Sequence, residues 1–245
     1  MTEVRKYLLI VVEGPSDRIS FENALRKMLN DIGSTRNLEI DVVHGDLLTM
    51  DKNKKLIPYN KEEENVARQI ERKIKSLHLK PSDVIAVSMI TDLDACFAPD
   101  SFFTNNQSIS KVFYNLEKNI CERKDIDELI AIRRKKLSVI QRMHNKTHIN
   151  IGGTIIKYRL FYLNVDLEWV FHSRLNQTRL EKMTLSEQFD DEYGNNTEKF
   201  VSFINSLPKK SDDFIESWNA VFSGGIEPLE KATNISQLIQ WISEL

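Results

Sequence analysis

Glu13, Asp92 and Asp94 stand where apolar runs of the sequence stop. Tyr7-Leu8-Leu9-Ile10-Val11-Val12 runs into Glu13, and Val84-Ile85-Ala86-Val87-Ser88-Met89-Ile90 passes through Thr91 into Asp92-Leu93-Asp94. Both runs are rich in β-branched residues and lack polar alternation, the pattern of strands buried on both faces of a parallel sheet. Ligands collect at the carboxyl ends of such strands. Residues i and i+2 of an extended chain point the same way, roughly 7 Å apart. Asp92 and Asp94 are therefore expected to face one point, with Glu13 joining them from a neighbouring strand. Carboxylates crowded in this way repel one another unless a cation neutralises them, and oxygen-only ligands favour Mg²⁺ or Mn²⁺. Gly14 leaves room beside Glu13 for a phosphate or a metal-bound water. The helix that starts at Pro15-Ser16 would favour an anion there.

The elements that must position these acids follow from the pattern around them. After Pro15, the residues Phe21, Leu25, Met28 and Leu29 fall at helical spacing. Leu38 to Val43 reads as a second strand. Lys61 to Leu79 reads as a helix with Val66, Ile70, Ile74 and Leu77 on one face. The stretch 95–150 shows no obvious strand, and helices are expected near Ser108–Lys118 and Asp125–Met143. Gly152-Gly153 then opens a strand from Thr154 to Leu163. Strand–helix alternation of this kind argues for an α/β fold, a mostly parallel sheet with helices on both faces. Past Val165 the chain reads as helical, at Asn196–Ser206, Ser211–Phe222 and Asn234–Leu245. Phe214, Trp218, Val221 and Phe222 form one apolar stripe there, and Ile235, Leu238, Ile239 and Ile242 another. The expected organisation is a domain over 1–165 with a helical insertion at about 95–150, and a helical C-terminal module over 166–245 packed on the sheet.

Two segments resemble a known family. Val11-Val12-Glu13-Gly14-Pro15-Ser16-Asp17 resembles the Toprim signature, in which a strand ends in Glu-Gly before a helix. Met89-Ile90-Thr91-Asp92-Leu93-Asp94 resembles its Asp-x-Asp motif, in the matching order. His44-Gly45 falls where Toprim domains commonly carry a glycine after the second strand. The resemblance spans roughly residues 5–165 and implies a Rossmann-like Toprim fold with a Mg²⁺ site. Tyr162 to His172 resembles the end of the Toprim domain in RloB-like and OLD-like proteins. By that likeness Glu168, together with Asp166, would complete the metal site; a helix start with acids near its positive end explains them equally well. Proteins of that kind are associated with phage defence, and some work beside a separately encoded ABC-type ATPase. This chain has no P-loop, so such a partner is an implication of the resemblance.

The expected activity is metal-assisted hydrolysis of a DNA or RNA phosphodiester, with Glu13, Asp92 and Asp94 as catalytic metal ligands. Glu13 would act alternatively as a general base. Basic residues must offset the backbone charge, and Arg18 and the run Arg133-Arg134-Lys135-Lys136 are the candidates. Four consecutive residues cover a whole helical turn, so they cannot all face one ligand; a solvated face is the plainer reading. Phe97, Phe102 and Phe103 follow the Asp-x-Asp loop and suit core packing better than base stacking.

Of the 245 residues, 41% are hydrophobic and 29% charged, enough for a core and against disorder. A net charge of −2 gives no global basic excess, which counts against a scanning DNA binder. Cys96 and Cys121 fit neither a disulfide framework nor a zinc site, and the scattered His44, His144, His148 and His172 show no zinc spacing. No apolar run reaches membrane-spanning length, so a cytoplasmic protein is expected, with a homo-oligomer open. Two rival readings remain: a non-catalytic Toprim-like binding or regulatory module of a larger complex, and a receiver-like phosphotransferase.

Overall fold

Alternate residues of the first apolar run must find cover on opposite sides, and they do. In the computed structural model, which describes residues 6–31, 38–44, 48 and 61–245, Leu8, Ile10 and Val12 face one hydrophobic cluster and Leu9 and Val11 the other. Strand β1 (Lys6–Val12) leads into helix α1 (Pro15–Asp31), then β2 (Leu38–His44), α2 (Glu62–Ser76) and β3 (Val84–Asp92). The chain continues through β4 (Phe103–Asn105), β5 (Phe113–Asn115), β6 (Ile120–Arg123), α3 (Ile126–Met143), β7 (His148–Ile151) and β8 (Thr154–Leu163). It ends with α4 (Leu167–His172), α5 (Arg179–Tyr193), α6 (Thr197–Ser206), α7 (Phe214–Phe222) and α8 (Ser236–Ser243).

The main sheet has the order β2-β1-β3-β8-β7, with β2, β1, β3 and β8 mutually parallel and β7 antiparallel to β8. The chain leaves β1 towards β2 and returns to the other side of β1 as β3. That reversal opens a crevice between the carboxyl ends of β1 and β3, the usual place for a ligand in an open α/β sheet. Glu13 and Asp92 stand on either side of it.

Helices cover both faces, as the pattern requires. Phe21, Leu25 and Met28 of α1, Phe189 of α5, Phe200 of α6 and Leu238 of α8 pack on one face. Val66, Ile70 and Ile74 of α2, Val139 and Ile140 of α3 and Trp218 of α7 pack on the other. The helices beyond residue 166 thus contribute to both clusters. Asn164 ties them in: its amide donates to the carbonyls of Glu227 and Glu230, the latter at 2.6 Å.

The insertion departs from expectation. It contains one α-helix, α3, a single 3-10 turn at Asp100–Phe102 and a three-stranded sheet of order β4-β6-β5, while β7 joins the main sheet. Ser108–Lys118 is not helical. Asn106 Oδ1 accepts the Ser108 amide at 3.1 Å and Asn115 Oδ1 accepts that of Lys118 at 3.1 Å. Such Asx turns compete with helix formation, and the strands β4, β5 and β6 around them are too short for their alternation to register. Gly152 and Gly153, at φ +57° and +87°, form the β7–β8 hairpin turn, a conformation that favours glycine. Gly45 lies outside the described residues. No helix among the described residues is long and apolar enough to cross a membrane.

Candidate functional site

Local sequence delivers six carboxyl groups to the crevice. Glu13 and Asp92 close β1 and β3. Asp17 sits on the first turn of α1, where its Oδ2 accepts the Gly14 amide at 2.8 Å. Beyond β3 the chain stays beside β8: the Leu93 amide donates to the Leu163 carbonyl at 2.8 Å and the Asp94 amide to that of Val165 at 2.9 Å. The turns bearing Asp94 and Asp166 are therefore neighbours. Asp94, Ala95 and Val165 adopt φ of +51°, +54° and +43°. For non-glycine residues this is a costly conformation, of the kind concentrated at functional sites. Asp166 caps α4 by accepting the Trp169 amide at 2.9 Å, which sets Glu168 in the first turn with 1% of its surface exposed.

Three cations meet these acids. The Lys136 ammonium donates to Glu13 Oε1 at 2.8 Å and to Asp94 Oδ2 at 2.7 Å. Arg133 pairs with the same Asp94 oxygen at 2.8 Å. Lys182, on α5, pairs with Asp166 at 3.0 Å and also with Glu168. The hydroxyl of buried Thr91 donates to Glu13 Oε1.

The expected Asp-x-Asp pair splits electrostatically. Burial alone would raise Asp94, but Arg133 and Lys136 outweigh it and hold its carboxyl below the usual range. Burial pushes Asp92 well above that range, and the charges of Asp17, Glu13, Asp166 and Asp94 push the same way. Burial likewise raises Asp17 to about 7, with Glu168 and Glu13 adding to the shift and the Gly14 amide opposing it. Asp166 is raised, chiefly by burial, against the pull of Lys182. Burial would lower the Lys136 and Lys182 ammonium groups, yet the surrounding carboxylates raise both.

The sequence candidates are distributed as follows. Glu13 and Asp94 meet around one ammonium atom, and Asp92 lies in the same electrostatic cluster. Glu168 joins from α4. Arg133 and Lys136 point inward to the acids. Arg134 pairs with Asp100, and Lys135 is buried on Glu62 of α2 at 2.8 Å, away from the cluster. Arg18 pairs with Glu22 at 2.7 Å. Phe102 and Phe103 are buried in a minor core with Cys121, and both cysteines are free thiols.

Asp17 and Lys182 were not among the candidates. Asp17 carries a signal, four residues after Glu13 on the helix start. Lys182 carries none, because its partners are 14 and 16 residues away.

A divalent ion fits the chemistry of this donor set. Every donor is a carboxylate oxygen, and Glu13, Asp17, Asp92, Asp94, Asp166 and Glu168 outnumber Arg133, Lys136 and Lys182. The Asp92 carboxyl group has no hydrogen bond or ion pair among the described residues, although its backbone carbonyl accepts the Thr91 hydroxyl at 3.1 Å, and Glu168 Oε1 is buried without a hydrogen-bond partner. As the side chains stand, no three acidic, histidine or cysteine groups among the described residues converge on one ion. The Lys136 ammonium fills the gap between Glu13 and Asp94.

Fold and site together define an α/β protein with a buried, acid-rich cluster at the switch point of a mostly parallel sheet. Comparison with known proteins finds no matching family model and no matching curated protein.

Proposed function

We propose that this chain is a Toprim-type nuclease that hydrolyses DNA or RNA phosphodiester bonds with Mg²⁺ or Mn²⁺. The observation that carries the reading is Asp92, a carboxylate without a hydrogen bond or ion pair among the described residues, held among other acids beside an open cleft. Separating such charges would be easy on a surface; keeping them together suits a site that binds a hard cation. Glu13, Asp17, Asp92 and Asp94 would hold it, with Asp166 and Glu168 behind. A bound divalent ion supplies Lewis-acid polarisation of a phosphate oxygen and an acidified water. Thr91 and Lys136 orient Glu13, and Arg133 fixes Asp94 in its left-handed turn. The role in phage defence and a separately encoded ABC-type ATPase partner rest on the family resemblance.

The test is cleavage of plasmid, single-stranded DNA, tRNA and total RNA by the full chain with Mg²⁺ or Mn²⁺. Glu13→Ala and Asp92→Ala should each abolish cleavage, by at least about 100-fold. Activity that survives both changes removes the site assignment.

One observation favours a second reading, a non-catalytic Toprim-like binding module: Lys136 already bridges Glu13 and Asp94 as a permanent counter-ion would. Calorimetric titration separates the two. Mg²⁺ or Mn²⁺ binding that is lost in Asp92→Ala supports the nuclease, and no binding in the wild type supports the module.

A further inference from the structure

Beside the acid cluster lies a cleft of about 510 Å³, within the range that encloses a ligand the size of one nucleotide. Glu13, Asp17 and Asp92 line its acidic side. The rest of the lining includes the start of α5 and the loop before it, with Gln177, Arg179, Lys182 and Met183. A nucleic-acid substrate needs a cation at this mouth to offset its own charge. Most cations nearby are committed elsewhere. Arg133, Lys136 and Lys182 are held by the cluster acids, Lys135 by Glu62 and Arg134 by Asp100.

Arg179 differs. It lines the cleft, is exposed, and its side chain has no hydrogen bond or ion pair among the described residues. It shares the cleft lining with Glu13, Asp17 and Asp92 without pairing with any of their carboxylates. The planar fork of a guanidinium matches a phosphate in two parallel hydrogen bonds. Next to it the Gln177 amide is fixed through its Nε2 on the Leu175 carbonyl at 2.9 Å, and Met183 offers a soft apolar surface. Neither carries charge and the Lys182 ammonium is held by Asp166 and Glu168, so these two side chains suit a sugar or base beside the phosphate.

Resting on the nuclease reading above, we infer that Arg179 binds a backbone phosphate of a nucleic-acid strand at the cleft mouth. One nucleotide then lies between the α5 wall and the carboxylates. The run Arg133–Lys136, the densest basic stretch of the sequence, serves the cluster and its surroundings instead.

The test is fluorescence polarisation of a labelled single-stranded oligonucleotide and of labelled tRNA, with the full chain in Ca²⁺ across a salt series. Arg179→Ala should weaken binding of one or both about 5–10-fold and lower the log–log salt slope by about one. Lys75→Ala, an exposed charge on α2, should change neither. Under turnover, Arg179→Ala should raise KM while kcat stays within about 2-fold. Wild-type affinity in Arg179→Ala overturns the inference, as does an equal loss in Lys75→Ala or an absence of strand binding by the wild type. Displacement of the strand by a nucleoside monophosphate at equal affinity overturns the assignment to a strand. If Arg179→Ala weakens strand binding but no metal supports cleavage, the nuclease reading falls and the phosphate contact stands. If Asp92→Ala abolishes cleavage while Arg179→Ala changes neither affinity nor KM, the reverse holds.

Discussion

Asp17 and Asp94 are chemically alike and respond to burial in opposite ways because of what stands beside them. Arg133 and Lys136 compensate Asp94, whereas Asp17 is surrounded mainly by other acids. A carboxyl raised from 3.8 to about 7 contributes its full stabilisation below pH 3.8 and loses it as pH rises through about 7. Each unit of that displacement corresponds to about 1.4 kcal/mol. In metal-free buffer, Asp17→Asn should therefore gain thermal stability over the wild type as pH goes from 5 to 8. The measurement is the difference in Tm between the two proteins; a difference that stays constant over this range removes the electrostatic account of Asp17. Mg²⁺ should raise the wild-type Tm more at pH 8 than at pH 5, because a cation substitutes for the missing proton. Asp94 has the opposite sign: its contribution is present above pH 3.8 and is lost in acid.

At the scale of elements, α3 and α5 matter because each delivers cations to acids on other elements. On α3, Arg133 and Lys136 are three apart and share a face, so both reach Asp94. Lys135 faces α2 and Arg134 faces Asp100. The helix was legible in the sequence, but its charge partners were not, since Glu62 and Asp100 are 73 and 34 residues away. The strands were legible for a physical reason: burial on both faces leaves continuous apolar runs. The β4–β6 sheet was not, because strands of three or four residues give no alternation to read. Helix α5 also leaves little trace in the sequence. Only Ser186 and Phe189 are fully buried on it, so it shows no apolar stripe. Its start signal was nonetheless present. Thr178 and Glu181 form a capping box, with the Thr178 amide donating to Glu181 Oε2 at 2.7 Å and the Thr178 hydroxyl accepting the Glu181 amide at 3.3 Å. Thr178→Ala should cost about 1 kcal/mol. It should also speed amide exchange in the first turn of α5, the turn that carries Arg179 and Lys182. Unchanged exchange there would mean that tertiary contacts, not the cap, hold the turn.

On the scale of the whole molecule, the C-terminal helices finish the core that the strands begin. Trp218 of α7 is fully buried against Tyr162 of β8, with ring centroids 4.8 Å apart, and its indole N–H donates to the Leu160 carbonyl at 3.2 Å. On the opposite face, Trp241 of α8 packs near Phe161 of the same strand, with ring centroids 6.1 Å apart. Asn234 reaches between them to accept the Tyr162 amide at 2.8 Å. Strand β8 is therefore covered on both sides by residues more than fifty positions downstream. Trp218→Ala should cost about 3–5 kcal/mol, a large part of a total stability that for domains of this kind is about 5–15 kcal/mol. Deleting α7 and α8 together exposes both faces of β8 and leaves the Tyr162 amide and the Leu160 carbonyl without these partners. A chain ending at residue 207 should then lose its cooperative thermal transition in circular dichroism and bind a hydrophobic dye. A sharp melt of that truncated chain would show instead that residues 6–207 hold a complete core. The acid cluster would then rest on the strands and α1, α3, α4 and α5 alone.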